Sequence, residues 1–355
     1  MTIHDNQAQD LDTHEDLHGQ FHAEVSQERN LGSTVITLSY IDPVDPNHNL
    51  AAKIAPELGS NLFSYRAGEY ELIYCDRELL KQGDFTGSPV LWPFPNRVRD
   101  KKYSYGGHEY SLADVPRAPH DPMLIHGLVY DRAWQFQEPL VKADRAEVTT
   151  SIDISPASPY YAAYPFTSRL SLTYSLTNQG ISVSYTVQNK GPHSLPFGFA
   201  LHPYFVQLSG KNDTTVSIPA ETVMEADKTL LPTERLFDVN QIMYAMFDLR
   251  EPRPIGMLRL DHVYTDLKPE ESAIITYRKQ QMHLSVSATT DFTHMVIYTP
   301  PNDDPFFCLE NQTCSTDAIN LHARGLYQMS HLLEVLPGES SSGTIHYTLS
   351  FDTTL

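Results

Sequence analysis

The stretch LSLTYSLTNQGISVSYTV, residues 170–187, decides the fold. Leu170, Leu172, Tyr174 and Leu176 alternate with polar residues. Thr177-Asn178-Gln179-Gly180 then supplies turn residues, and Ile181, Val183, Tyr185 and Val187 resume the period of two. Successive side chains of a strand point to opposite faces, so the pattern predicts a hairpin whose two strands are apolar on one face.

Working outward, the same texture starts at Thr34, where Val35, Thr37 and Ser39 alternate with Ile36, Leu38 and Tyr40. It returns at Leu284–Ala288, His294–Tyr298 and Thr344–Phe351. The chain's 25 prolines and 17 glycines leave few uninterrupted segments of helical period. Partly helical segments are expected over Ala220–Leu230 and at a turn around Tyr160–Tyr164. The many tyrosines, threonines and valines suit pleated, half-buried surfaces. No fixed-period repeat and no Pro- or Gly-rich linker divides the chain. The expected architecture is all-β: one large antiparallel β-sandwich over residues 31–355 with few short helices. A polar, acidic, histidine-rich tail is expected over residues 1–30.

The 355 residues are 41% apolar, enough for a sizeable core and unlike a disordered chain. The 44 acidic and 25 basic residues give a formal charge of −19. So negative a body repels phosphate backbones and anionic lipid, which argues against nucleic acid or membrane as partners. The three cysteines, Cys75, Cys308 and Cys314, are too few and too widely spaced for a disulfide framework. The N-terminus lacks a basic stretch followed by an apolar run, so no secretory signal is read there. No segment is apolar for long enough to span a membrane as a helix. A cytoplasmic protein with reduced thiols is expected.

His14-Glu15-Asp16-Leu17-His18 has the H-E-x-x-H spacing of zinc proteases, and His22 extends the series. Its surroundings are polar and Gly19 follows at once, whereas a zinc site needs a packed helix with supporting hydrogen bonds. A solvated acidic–histidine tail is the better reading, and no metal is expected. Further along, Leu91–Gly107 carries Asn96-Arg97 just past a stiff, Pro-rich apolar run. A guanidinium fork held there suits sugar hydroxyls. His126 sits between isoleucine and glycine, and Gly127 beside it would let a ligand approach the backbone. His202 ends the apolar run LPFGFAL, and Pro203 keeps it out of helical geometry. Glu310 follows Phe306, Phe307 and Leu309, an apolar approach in which a carboxylate is costly unless bonded or functional. In RLDHVYTDL, residues 259–267, Asp261 and Asp266 compete as a further carboxylate. No Ser-His-Asp signature, Walker loop or G-x-G-x-x-G is present.

In combination and in order, NRVR with Arg97, His126-Gly127, LHPYF with His202, DHVYTDL and CLENQTCSTDAINL with Glu310 resemble the aldose 1-epimerase (galactose mutarotase) family. The resemblance spans about residues 85–325 and implies the mutarotase-like supersandwich with a sugar cleft across one sheet. It places a base on Glu310, an acid on His202 and a second histidine near the ring oxygen on His126. Arg97 and Asp261 would bind hydroxyls, with Asn96 beside them. Such chemistry needs no cofactor: a base takes the proton from O1, an acid protonates O5, the ring opens, C1 rotates and the steps reverse. The expected function is anomer interconversion of a free aldohexose, by a monomer or homodimer. Two rivals stand beside it. A hexose-6-phosphate epimerase would gather Arg99, Lys101 and Lys102 around a phosphate. A non-catalytic sugar-binding protein would share the fold without the chemistry.

Overall fold

A computed structural model of the chain describes residues 19–115, 124–268 and 271–352. The hairpin sits where the sequence puts it. Ser168–Leu176 pairs antiparallel with Gly180–Asn189, with Leu170 opposite Val187 and Leu176 opposite Ile181. Burial alternates strictly along the first strand. At the turn, a Cβ on Gly180 would lie 2.0 Å from the Tyr347 carbonyl oxygen, so only glycine fits that approach.

The hairpin forms the middle of a ten-stranded antiparallel sheet that also contains Ala146–Ile154, Ser340–Phe351, Met282–Ala288 and Ala273–Tyr277. An eight-stranded sheet lies against it, with Asp261–Thr265, His294–Tyr298 and Phe306–Gln312 side by side. The two layers meet through aromatic rings. Tyr185 stacks on Phe199 at 4.6 Å, and Phe205 packs edge-on to Tyr347 at 5.9 Å. A single apolar cluster runs through both layers, as a sandwich requires. A further five-stranded sheet orders β1 (Gln20–Glu28), β2 (Ser33–Ile41), β3 (Leu50–Ala55), β4 (Asn61–Ala67) and β5 (Tyr70–Glu71) in chain sequence. The α-helices among the described residues are short: Arg77–Gln82, Ala318–Ala323 and Tyr327–Ser330.

Two expectations are corrected. The tail expected over residues 1–30 gives way at Gln20 to β1, which pairs with β2 along its whole length. The missed signal is the alternation Phe21, Ala23, Val25, of which Phe21 and Ala23 rest on the main core. His22 therefore belongs to a strand, opposite Ser39, and does not continue a helical histidine series. His14 and His18 lie outside the described residues. The second correction concerns Ala220–Leu230. It contains a strand, Thr222–Ala226, bonded on one side to Pro232–Asp238 and on the other to Asp261–Thr265. Pairing on both edges overrides a weak local helical preference. The segment around Tyr160–Tyr164 is the expected turn but forms no helix, and is closed by the Ala163 and Tyr164 amides on the Tyr160 carbonyl.

No helix of the described residues is long and apolar enough to cross a membrane. Cys75, Cys308 and Cys314 are all free thiols.

Candidate active site

Strand Phe306–Gln312 shows how the fold makes a site. Phe307 and Leu309 point into the sandwich core. The period of two sends Cys308, Glu310 and Gln312 to the opposite face. That face is closed over as well, leaving Glu310 only 2% exposed. Register then assembles its neighbours. Glu310 lies opposite Val296, and Asp261 lies opposite Tyr298. All four line one cleft of about 240 Å³.

His202 enters the cleft from the end of the short strand Ala200–Leu201. Its Nε2 stands 3.3 Å from Glu310 Oε1, and the pair is almost wholly buried. The Tyr204 ring stacks on the imidazole at 4.9 Å. Burial pushes His202 down to about 4 and Glu310 well above the ordinary carboxylate range. Both shifts favour the uncharged forms. Burial thus favours a proton on Glu310 beside a neutral His202 over the ionised pair. The carboxylate–imidazolium arrangement that the resemblance implies carries the same number of protons. One transfer along the Nε2···Oε1 contact reaches it.

Arg97, Asn96 and His126 come from two loops locked together. The Asn96 amide donates to His126 Nδ1 at 3.2 Å, and the His126 amide donates to the Asn96 carbonyl at 2.9 Å. Because Nδ1 accepts, a neutral His126 carries its proton on Nε2. The Asn96 side chain accepts from Arg97 Nη1 at 2.9 Å and so aims the guanidinium. Asp261 is raised by burial, with Arg97 opposing the shift. Phe85 packs edge-on to His126 at 5.1 Å and forms part of the cleft wall.

The structure thus gathers Asn96, Arg97, His126, His202, Asp261 and Glu310 in one place. Asp266 is excluded, since it is exposed beyond the end of the Asp261–Thr265 strand. The reading of Gly127 changes. A Cβ there would sit 2.3 Å from the Trp92 carbonyl oxygen, so the glycine admits neighbouring backbone, not ligand. Phe85, Tyr204 and Tyr298 line the cleft without having been singled out in the sequence. Tyr204 stood inside the quoted LHPYF. Tyr298 is identified only by its pairing with Asp261, which sequence does not display. A larger hollow of about 790 Å³ lies elsewhere, among Tyr105, Tyr110, Phe166 and Tyr327, and holds none of these groups. Among the described residues, no cluster of three or more His, Cys, Asp or Glu is arranged to hold a metal.

Comparison with known proteins decides the family. The aldose 1-epimerase family model matches residues 44–348. The chain belongs to the aldose 1-epimerase family. Among curated proteins it is 28% identical over 235 residues to the uncharacterised protein YihR of Escherichia coli K12, covering 65% of this chain and 71% of that one. It is also 28% identical over 197 residues to human galactose mutarotase, spanning 54% of this chain and about half (53%) of that protein. Among solved structures, a galactose mutarotase-like protein from Clostridium acetobutylicum superposes with a TM-score of 0.79 at 19% identity, over 94% of this chain and 99% of that one. Galactose 1-epimerase from Lactobacillus acidophilus gives 0.69 at 17% identity, over the same shares, 94% and 99%. At such identities the structures speak for the mutarotase-like fold. Family membership makes the chain an isomerase-type carbohydrate epimerase.

Proposed function

We propose that the cleft interconverts the anomers of a free aldohexose of the glucose or galactose type. The observation that carries this reading is the buried contact between His202 Nε2 and Glu310 Oε1, 3.3 Å long. O1 and O5 of a pyranose hang on the same carbon, so a base for one and an acid for the other must lie close together. In the reactive form, Glu310 takes the proton from O1 while His202 gives one to O5. The ring opens, C1 rotates, and the transfers reverse. His126 presents Nε2–H near the ring oxygen, and Arg97 and Asp261 hold hydroxyls. Each positioned acid or base contributes roughly 10²–10⁴-fold.

Two features favour a neutral sugar over a 6-phosphate. The body carries a charge of −19, which opposes approach of a dianion. Two members of the basic cluster are engaged elsewhere. Arg99 lies 3.8 Å from Asp227 and 3.7 Å from Asp317, and Lys102 lies 3.2 Å from Glu109. Neither lines the cleft.

The test follows the optical rotation of fresh α-glucose and α-galactose, alongside coupled anomerisation of glucose 6-phosphate. The free sugars are expected to show the higher kcat/KM. A tenfold preference for the phosphosugar would overturn the reading. The pH profile of kcat/KM should be bell-shaped. Its acid limb lies near 4, where His202 takes a second proton onto the pair. Its alkaline limb lies where the pair loses its only proton from Glu310, above the usual carboxylate range.

A further inference from the structure

The amide of Gln312 stands behind the proposed base, at the next position on the same face of strand Phe306–Gln312. Its Nε2 donates to Glu310 Oε2 at 3.0 Å, and the side chain is completely buried. We propose that Gln312 is a positioning residue, which ties down one oxygen of Glu310 and leaves the other facing His202. The inference deepens the anomerase reading and rests on it.

The geometry divides the carboxylate in two. Oε1 meets His202, and Oε2 meets Gln312. Only the NH2 end of an amide donates, so this orientation stabilises Glu310 as an anion. Among the described residues Gln312 Oε1 has no hydrogen-bond partner, so the side chain bonds through Nε2 to Glu310. The backbone neighbours of Gln312 across the sheet are Ala200 and His294. A wholly buried amide is costly at such a position unless its bond serves a purpose.

The consequence is chemical. The reactive form is Glu310 carboxylate with His202 imidazolium, whereas burial favours the proton on Glu310. Other groups act on this carboxyl as well. His202, Tyr204, Cys308, Asp261 and Tyr347 surround it, and Arg97 alone among these carries a fixed positive charge. The Gln312 donor works with Arg97 to lower its proton affinity. A hydrogen bond to a charged group shifts such an equilibrium by about one pH unit or more. Losing it should make the reactive form about tenfold rarer and move the alkaline limb of kcat/KM upward by the same unit. The acid limb, set by His202, should stay in place.

The experiment compares wild type with Gln312→Met, which keeps length and removes the donor, using the polarimetric assay. The expected result is a kcat lower by about tenfold, KM within about threefold, and an alkaline limb about one pH unit higher. A structural role alone would lower the melting temperature without moving that limb. A kcat within twofold of wild type, or an unmoved alkaline limb, overturns the proposal. Should Gln312→Met not fold, Gln312→Asn, too short to reach Glu310, is read the same way. If neither folds, Gln312 is a residue of the fold and the positioning role is withdrawn. Wild type serves as the control for the parent reading: no mutarotation by wild type would defeat the anomerase assignment itself, whereas an active wild type with a normal variant defeats only the role of Gln312.

Discussion

The strands Ser168–Leu176 and Phe306–Gln312 use the same period of two and end in opposite conditions. The first buries Leu170, Leu172, Tyr174 and Leu176 and leaves Ser171, Thr173 and Ser175 half-exposed between them. The second buries both of its faces: Phe307 and Leu309 in the core, Cys308, Glu310 and Gln312 beneath the cleft. One strand turns the polar residues between its apolar ones to water. The other retains a carboxylate and an amide out of water, where each needs a partner. The contrast separates the residues that hold the fold from those proposed to serve the chemistry.

The hairpin should break first in stability and not in catalysis. Leu172→Ala removes a fully buried side chain from the centre of the apolar face. It should cost about 2–5 kcal/mol in urea unfolding. The folded fraction should keep its kcat, since Leu172 is not among the residues that line the cleft. A large loss of kcat per folded molecule would blur the distinction between the two strands.

A smaller effect sharpens the site side. Asp261 and Asp266 stand on one short segment, and only Asp261 lines the cleft. Asp261→Asn should raise KM by about tenfold, the cost of a charged hydrogen bond to a hydroxyl. Asp266→Asn should leave both KM and kcat within about twofold, as expected of an exposed position. Steady-state polarimetry distinguishes them, and equal effects would mean that the strand register misplaces the substrate.

The parts of the molecule that were legible in sequence follow the same contrast. Alternation revealed the hairpin and the strand around Thr344, because a half-buried strand writes its orientation into its polarity, whereas the strand around His294 is buried on both faces. A carboxylate after an apolar run revealed Glu310. The strand β1 was hidden because only Phe21, Ala23 and Val25 mark its buried side, and Val25 is itself 40% exposed. Tyr298 and Gln312 were hidden for a different reason. Their significance comes from which strand lies beside which, and from a side-chain bond, neither of which a linear pattern records. The loop lock between Asn96 and His126 is of that kind too, joining residues 30 positions apart.

At the centre of the proposed reaction Glu310 accepts the proton from O1, in partnership with His202. Glu310→Gln keeps the shape of the side chain and removes the acceptor, so polarimetry of fresh α-galactose with this variant tests it most directly. With folding verified by an unchanged or raised melting temperature, the enzyme-catalysed rate should fall by at least ~10²-fold. A folded variant that mutarotates at close to the wild-type kcat would contradict the account.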